Sequence, residues 1–167
     1  MSSTPASDAG PEPSPVATAL SSGAFLRVFT RPSGDAVAAA GVIARAARAA
    51  GTGFQLRTTR ETTVADEERG AEDGRAIAVG WDAPDAVGLV SDADPLAVAA
   101  AEAVRDAGLD PDPILTLAGA FAAGVQPGAG GTGALIEAAE RRDAVVERPG
   151  VAVPTADVAD GLAHSTR

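Results

Sequence analysis

Ala24-Phe25-Leu26-Arg27-Val28-Phe29-Thr30 is followed by Arg31-Pro32-Ser33-Gly34 and then by an Ala-rich run from Asp35 to Ala50. The first stretch is rich in aromatic, aliphatic and β-branched residues, as strands are, and the second has the Pro, Ser and Gly of a turn. The third carries Ala, Val and Ile along one side, with Arg45 and Arg48 late, where positive charge suits a helix C-terminus. Gly51-Thr52-Gly53 stops that helix, and Phe54-Gln55-Leu56-Arg57-Thr58-Thr59 is a second strand. A strand, a turn, a helix and a strand in this order make a βαβ unit. That unit sets the fold class as α/β with a mainly parallel sheet.

Working outward, Met1 to Ser22 is rich in Ser, Pro, Ala and Thr without periodicity and reads as a flexible tail. On the other side, Arg60 to Gly74 is polar and charged. Arg75 to Gly80 is a third strand, apolar on both faces as a buried parallel strand is. Val87 to Val90 is a candidate fourth. A helix is expected from Asp94-Pro95 to Ala107, with Asp at the cap and Pro in the first turn. Gly108 to Pro113 breaks it, Ile114 to Ala123 reads as an apolar, buried helix, and Ala134 to Arg142 follows the glycine-rich 124–133 loop as another. Val145 to Thr155 reads as a strand with a Pro-containing connector. The expected division is a tail at 1–22, one α/β domain at 23–155 and a polar linker or tail at 156–167.

Composition narrows the chemistry. The 167 residues hold no Cys and one His, which excludes disulfides, thiol nucleophiles, thiolate metal sites and a multi-histidine zinc centre. Aromatics are 3% of the chain, too few for broad base-stacking platforms. The apolar run Ile114 to Val125 is too short to span a bilayer, and the first residues lack the pattern of a signal peptide, so an intracellular, cytoplasmic protein with no membrane partner is expected. The formal charge is -10, and every base is Arg. Excess carboxylate with small apolar side chains is what a high-salt cytoplasm selects; a GC-rich genome is the alternative source. The bases are uneven: six Arg stand against one Asp between 27 and 60, and seven Arg against 20 acids from Glu61 onward. The basic half surrounds the first strand, whose carboxyl end is where open α/β sheets bind ligands.

Val28-Phe29-Thr30-Arg31-Pro32-Ser33-Gly34-Asp35-Ala36-Val37-Ala38-Ala39-Ala40 resembles the first motif of the DHH phosphoesterase superfamily, its RecJ-like nucleases in particular. The stretch GVIARAARAAGTGFQLRTT looks like the second strand of that family, and SDADPLAVAAAEAVRDAGLDPDPILTLAGAFAAG is similar to the helices that follow its DHH motif. The likeness covers about Ala24 to Ala163, the N-terminal domain of the family, and implies helices on both faces of the sheet. It also implies a centre of two Mn²⁺ or Mg²⁺ ions held by carboxylates and His, which activates water and steadies the leaving oxygen. The ligands are largely replaced. Ser33 stands for the first Asp of an Asp-x-Asp pair and only Asp35 matches the second. Phe29 takes the place of a His, and Gly80 follows the third strand with Asp82 two residues on. Ala123-Gly124 falls where a further Asp belongs, and the one His is His164.

The reading that follows is a catalytically degenerate RecJ/DHH-type domain of DNA replication or repair, needing no cofactor. It would bind single-stranded DNA or a replication protein of the kind that the GINS complex represents. Arg27, Arg31, Arg57 and Arg60 are the candidate contacts. The alternative is a metal-dependent single-strand exonuclease or phosphoesterase, using Mn²⁺ or Mg²⁺ at Asp35 and Asp82. A site rebuilt from Asp82, Asp85, Asp92 and Asp94, or completed by a partner, would serve it. A third is a protein-interaction subunit without nucleic acid. Trp81 reads as a core-edge residue or a contact, and the 128–133 glycines as a helix cap and connector rather than a phosphate loop.

Overall fold

In the computed structural model, which describes residues 12–61, 63–64, 74–129 and 131–146, four strands run parallel in one sheet. They are β1 (Phe25–Thr30), β2 (Phe54–Thr58), β3 (Gly74–Val79) and β4 (Val87–Leu89), in the spatial order β2-β1-β3-β4. The helices are α1 (Pro15–Ser21), α2 (Gly34–Ala49), α3 (Leu96–Asp106), α4 (Pro113–Ala122) and α5 (Thr132–Glu140). The α/β class with a parallel sheet is therefore realised.

Side chains alternate across a strand. Leu26 and Val28 of β1, Ile77 and Val79 of β3 and Leu89 of β4 all meet the main core. Val16, Ala19 and Leu20 of α1, most of the inner face of α2, and Ala97, Ala100, Ala101 and Val104 of α3 complete it. Among the described residues, these helices cover that face. The opposite face carries a smaller cluster of Phe29, Val64, Ala78, Trp81 and Ala83. Ile77, Ala78 and Val79 are buried consecutively, so β3 is covered on both faces as its unbroken apolar run requires.

The core is made of small side chains, and the helices approach one another closely for that reason. Along α2 and α4, which run antiparallel, a Cβ at Gly34 would lie 2.8 Å from the Ala122 Cβ, and one at Gly41 would lie 3.2 Å from Leu115. Gly119 sits where α2, α3 and α4 meet: a Cβ there would collide with the Ala97 Cβ, lie 2.9 Å from the Ala38 Cβ and lie 3.0 Å from Asp35 Oδ1. At the far end Arg45 Nε lies 3.0 Å from Asp112 Oδ2. Asp112 also caps α4, accepting the amides of Ile114 and Leu115.

Four expectations need correction. Residues 15–21, read as part of a tail, form α1. Ser14 Oγ accepts the Ala17 amide, Pro15 occupies the first turn, and Val16, Ala17, Ala19 and Leu20 are buried. The Ser- and Pro-rich composition masked a cap and a starter. Helix α3 is not capped by Asp94: its N-cap is Pro95, which offers no side-chain acceptor, while the Asp94 amide bonds back to Ser91 Oγ. Helix α4 is less enclosed than its composition implies, since Ile114 and Phe121 remain exposed. Val145 and Val146 are not strand, and the remainder of the expected 145–155 element lies outside the described residues, as does His164.

Candidate functional site

The strand order turns around between β1 and β3. The chain steps from β1 to β2 on one side, then returns to place β3 on the other. Ligands of open α/β sheets bind at the carboxyl ends of strands flanking such a reversal. Here those ends are Thr30 and Arg31 after β1, and Gly80 and Trp81 after β3. The Arg31 amide donates to Val79 O across the gap, at 3.3 Å.

The protein's own groups occupy this crevice. Gly80 has φ +95, open to glycine, and a Cβ there would lie 3.1 Å from Arg31 Cγ and 3.5 Å from Leu96 Cδ1. The Arg31 guanidinium lies over the Trp81 ring, 4.4 Å from its centroid. Arg31 Nη1 donates to the carbonyls of Arg60 (2.8 Å) and Glu61 (3.0 Å). Arg31 thereby ties the end of β1 to the segment after β2. Beside these residues Pro32, Thr58, Thr59, Arg60 and Glu61 line a cleft of about 430 Å³.

Asp35 is the first acid of α2, where the helix dipole already favours a carboxylate. Its two oxygens point across to α3: Oδ2 accepts the Leu96 amide at 2.7 Å and Oδ1 the Ala97 amide at 2.9 Å. A side chain 61 residues away thus satisfies the amides that Pro95 leaves uncapped. Ser33, two residues earlier, accepts the Ala36 amide as the N-cap of α2. Ser33 and Asp35 both act as helix caps.

Asp82, the other candidate ligand, is exposed after β3, and its Oδ1 faces Gly88. Asp85, Asp92 and Asp94 are exposed as well. Among the described residues no three acids or histidines come together in a group able to hold a metal ion. A pair of divalent ions needs several hard oxygen donors converging within a few ångströms. The described donors by themselves therefore do not make up a two-metal centre.

The four arginines separate into two pairs. Arg27 and Arg57 share the sheet face away from the main core, since Arg27 pairs in register with Gln55 and Arg57 with Phe29. Arg31 and Arg60 lie at the carboxyl ends of β1 and β2. Arg27 lies over the Phe25 ring at 5.1 Å, and its Nη1 is buried without a hydrogen-bond partner among the described residues. Trp81 is 8% exposed, and its Nε1 is likewise buried and unpartnered. Sequence reading did not find the tie from Arg31 to residues 60 and 61, because its acceptors are backbone carbonyls. It also missed an apolar groove of about 560 Å³ between α4 and α5, lined by Leu117, Phe121, Pro127, Ile136 and Val145. Those residues come from three separate stretches.

No helix among the described residues is long and apolar enough to cross a membrane. No family model matches the chain, and no solved structure matches it. The uncharacterized protein rrnAC1427 of Haloarcula marismortui is 39% identical over 163 residues. That stretch covers 94% of this chain and 41% of the relative, so the chain spans about two fifths of the length of the curated protein it matches.

Proposed function

We propose that this chain is a RecJ/DHH-like domain whose metal site has decayed, and that it binds single-stranded nucleic acid or a replication protein. The carrying observation is the state of Asp35. A carboxylate whose two oxygens each accept a backbone amide is held in one orientation and ties α2 to α3. With Ser33 also committed to a cap, the paired-carboxylate position serves the fold rather than a hydrolytic water. The βαβ unit and the turn-around beside β1 are in keeping with the resemblance. The relative from a halophilic archaeon agrees with the reading of the acidic composition as an adaptation to salt. Under molar salt the Debye length shrinks to about 3 Å, so contacts to a backbone must be short and shaped. Arg57 and Arg60, both exposed, are the contacts the proposal relies on.

The test incubates the chain with 5′-labelled single-stranded DNA and short RNA, with Mn²⁺, across a KCl series to molar levels. An Asp35→Asn variant runs beside it. Fluorescence of Trp81, the only tryptophan, reports binding. The expected result is no cleavage by either protein, with saturable binding that an Arg57→Ala/Arg60→Ala variant weakens about tenfold. Cleavage that vanishes in Asp35→Asn would overturn the proposal in favour of a metal-dependent nuclease. Absence of binding to either nucleic acid would leave the replication-protein form, tested by pull-down with purified replication proteins.

A further inference from the structure

We propose that β2 is a self-association edge, through which two copies of this chain join their sheets in antiparallel fashion. The reason lies in the backbone. The Leu26 amide donates to Gly53 O and the Thr59 amide to Thr30 O, so the odd-numbered residues of β2 turn their N–H and C=O toward β1. Residues 54, 56 and 58 therefore turn theirs outward, at the border of the sheet that the described strands form.

All five residues of β2 are exposed, Phe54 at 37% and Leu56 at 39%. Natural edges are usually blunted by Pro, Lys, a bulge or a covering loop. Phe54 to Thr58 has no Pro, Lys or bulge, all five residues are exposed, and no element among the described residues covers them.

The pattern of the strand fits a second copy. A two-fold axis through Leu56, perpendicular to the sheet, sets Leu56 opposite Leu56 of the other copy, and Phe54 opposite Thr58. These are the residues whose amides and carbonyls point outward, so each pair can exchange both hydrogen bonds. The same axis sets Arg57 opposite Gln55, giving the guanidinium an amide carbonyl to face instead of another guanidinium. Apolar groups meet on one face and complementary polar groups on the other. An eight-stranded sheet results, with the main helices of both copies on one side. Repulsion between two chains of charge -10 opposes association at low salt, and molar salt removes most of it.

Sedimentation of the chain in dilute and in molar KCl, over a concentration series, gives the mass. A dimer strengthened by salt is expected. Leu56→Pro removes an outward amide while leaving every bond to β1 in place, so its circular dichroism should match the parent while its dimer dissociation constant rises about tenfold or more. Because the chain has no Cys, Leu56→Cys introduces one thiol, which a short bismaleimide should link across the axis. Thr18→Cys, on an exposed position of α1, should link far less. A monomer at every salt and concentration would overturn the proposal. So would a dimer that Leu56→Pro leaves intact, or one in which the two thiols link equally.

Discussion

The two faces of the sheet are built on different principles. On the helix side, Leu26, Val28, Ile77 and Val79 meet α1, α2 and α3, and the first turns of four helices each have a side-chain acceptor: Ser14 for α1, Ser33 for α2, Asp35 for α3, Asp112 for α4. On the other side, among the described residues, the cluster around Phe29 and Trp81 is smaller, and two buried donors, Arg27 Nη1 and Trp81 Nε1, have no partner. A side packed through glycine and alanine tolerates almost no added volume. A side that buries donors without a protein partner is less fully satisfied than one whose helix ends are capped.

The contrast can be broken most forcefully at Gly119. Gly119→Val inserts three carbons where one already collides with Ala97, and about 3 kcal/mol or more of stability should be lost. Chemical denaturation would read it, and a loss below about 1 kcal/mol would mean that α4 packs less tightly than described.

Asp35→Ala comes next. It strands the Leu96 and Ala97 amides, and a loss of about 2 kcal/mol is expected, with Asp35→Asn losing roughly half as much. Equal stability of all three proteins would show that the carboxylate is free for another task. Asp112→Ala should cost about 1 kcal/mol, because the cap of α4 and the ion pair to Arg45 go together. Arg45→Ala, whose side chain is 68% exposed, should cost under about 0.5 kcal/mol. On the opposite face the expected sign changes. Trp81→Phe keeps an aromatic ring under Arg31 and deletes an unpartnered donor, so stability should shift within about 1 kcal/mol of zero, upward if anything. A large loss would mean that Nε1 is bonded after all in solution.

Much of the fold was legible because it follows from local pattern. The strand at Phe25–Thr30, the helix ended by Gly51 and the apolar run of β3 each announce themselves within a dozen residues. The site was legible only in outline. Asp35 and Ser33 stood out by resemblance to a paired-carboxylate motif, yet nothing local says that Asp35 bonds to amides 61 and 62 residues further along. Helix α1 was hidden because a Ser-Pro start resembles linker composition until its apolar residues find a core to enter.

The sequence by itself determined the α/β class, the acidic surface and the exclusion of thiol chemistry, since periodicity, charge and residue counts are properties of the chain alone. Tertiary structure decided what the retained residues do. Whether a carboxylate caps a helix or waits for a ligand depends on which amides the fold brings within 3 Å of it. Likewise, whether a strand is interior or a border depends on where the chain returns, and the return of β3 to the far side of β1 left β2 at the edge.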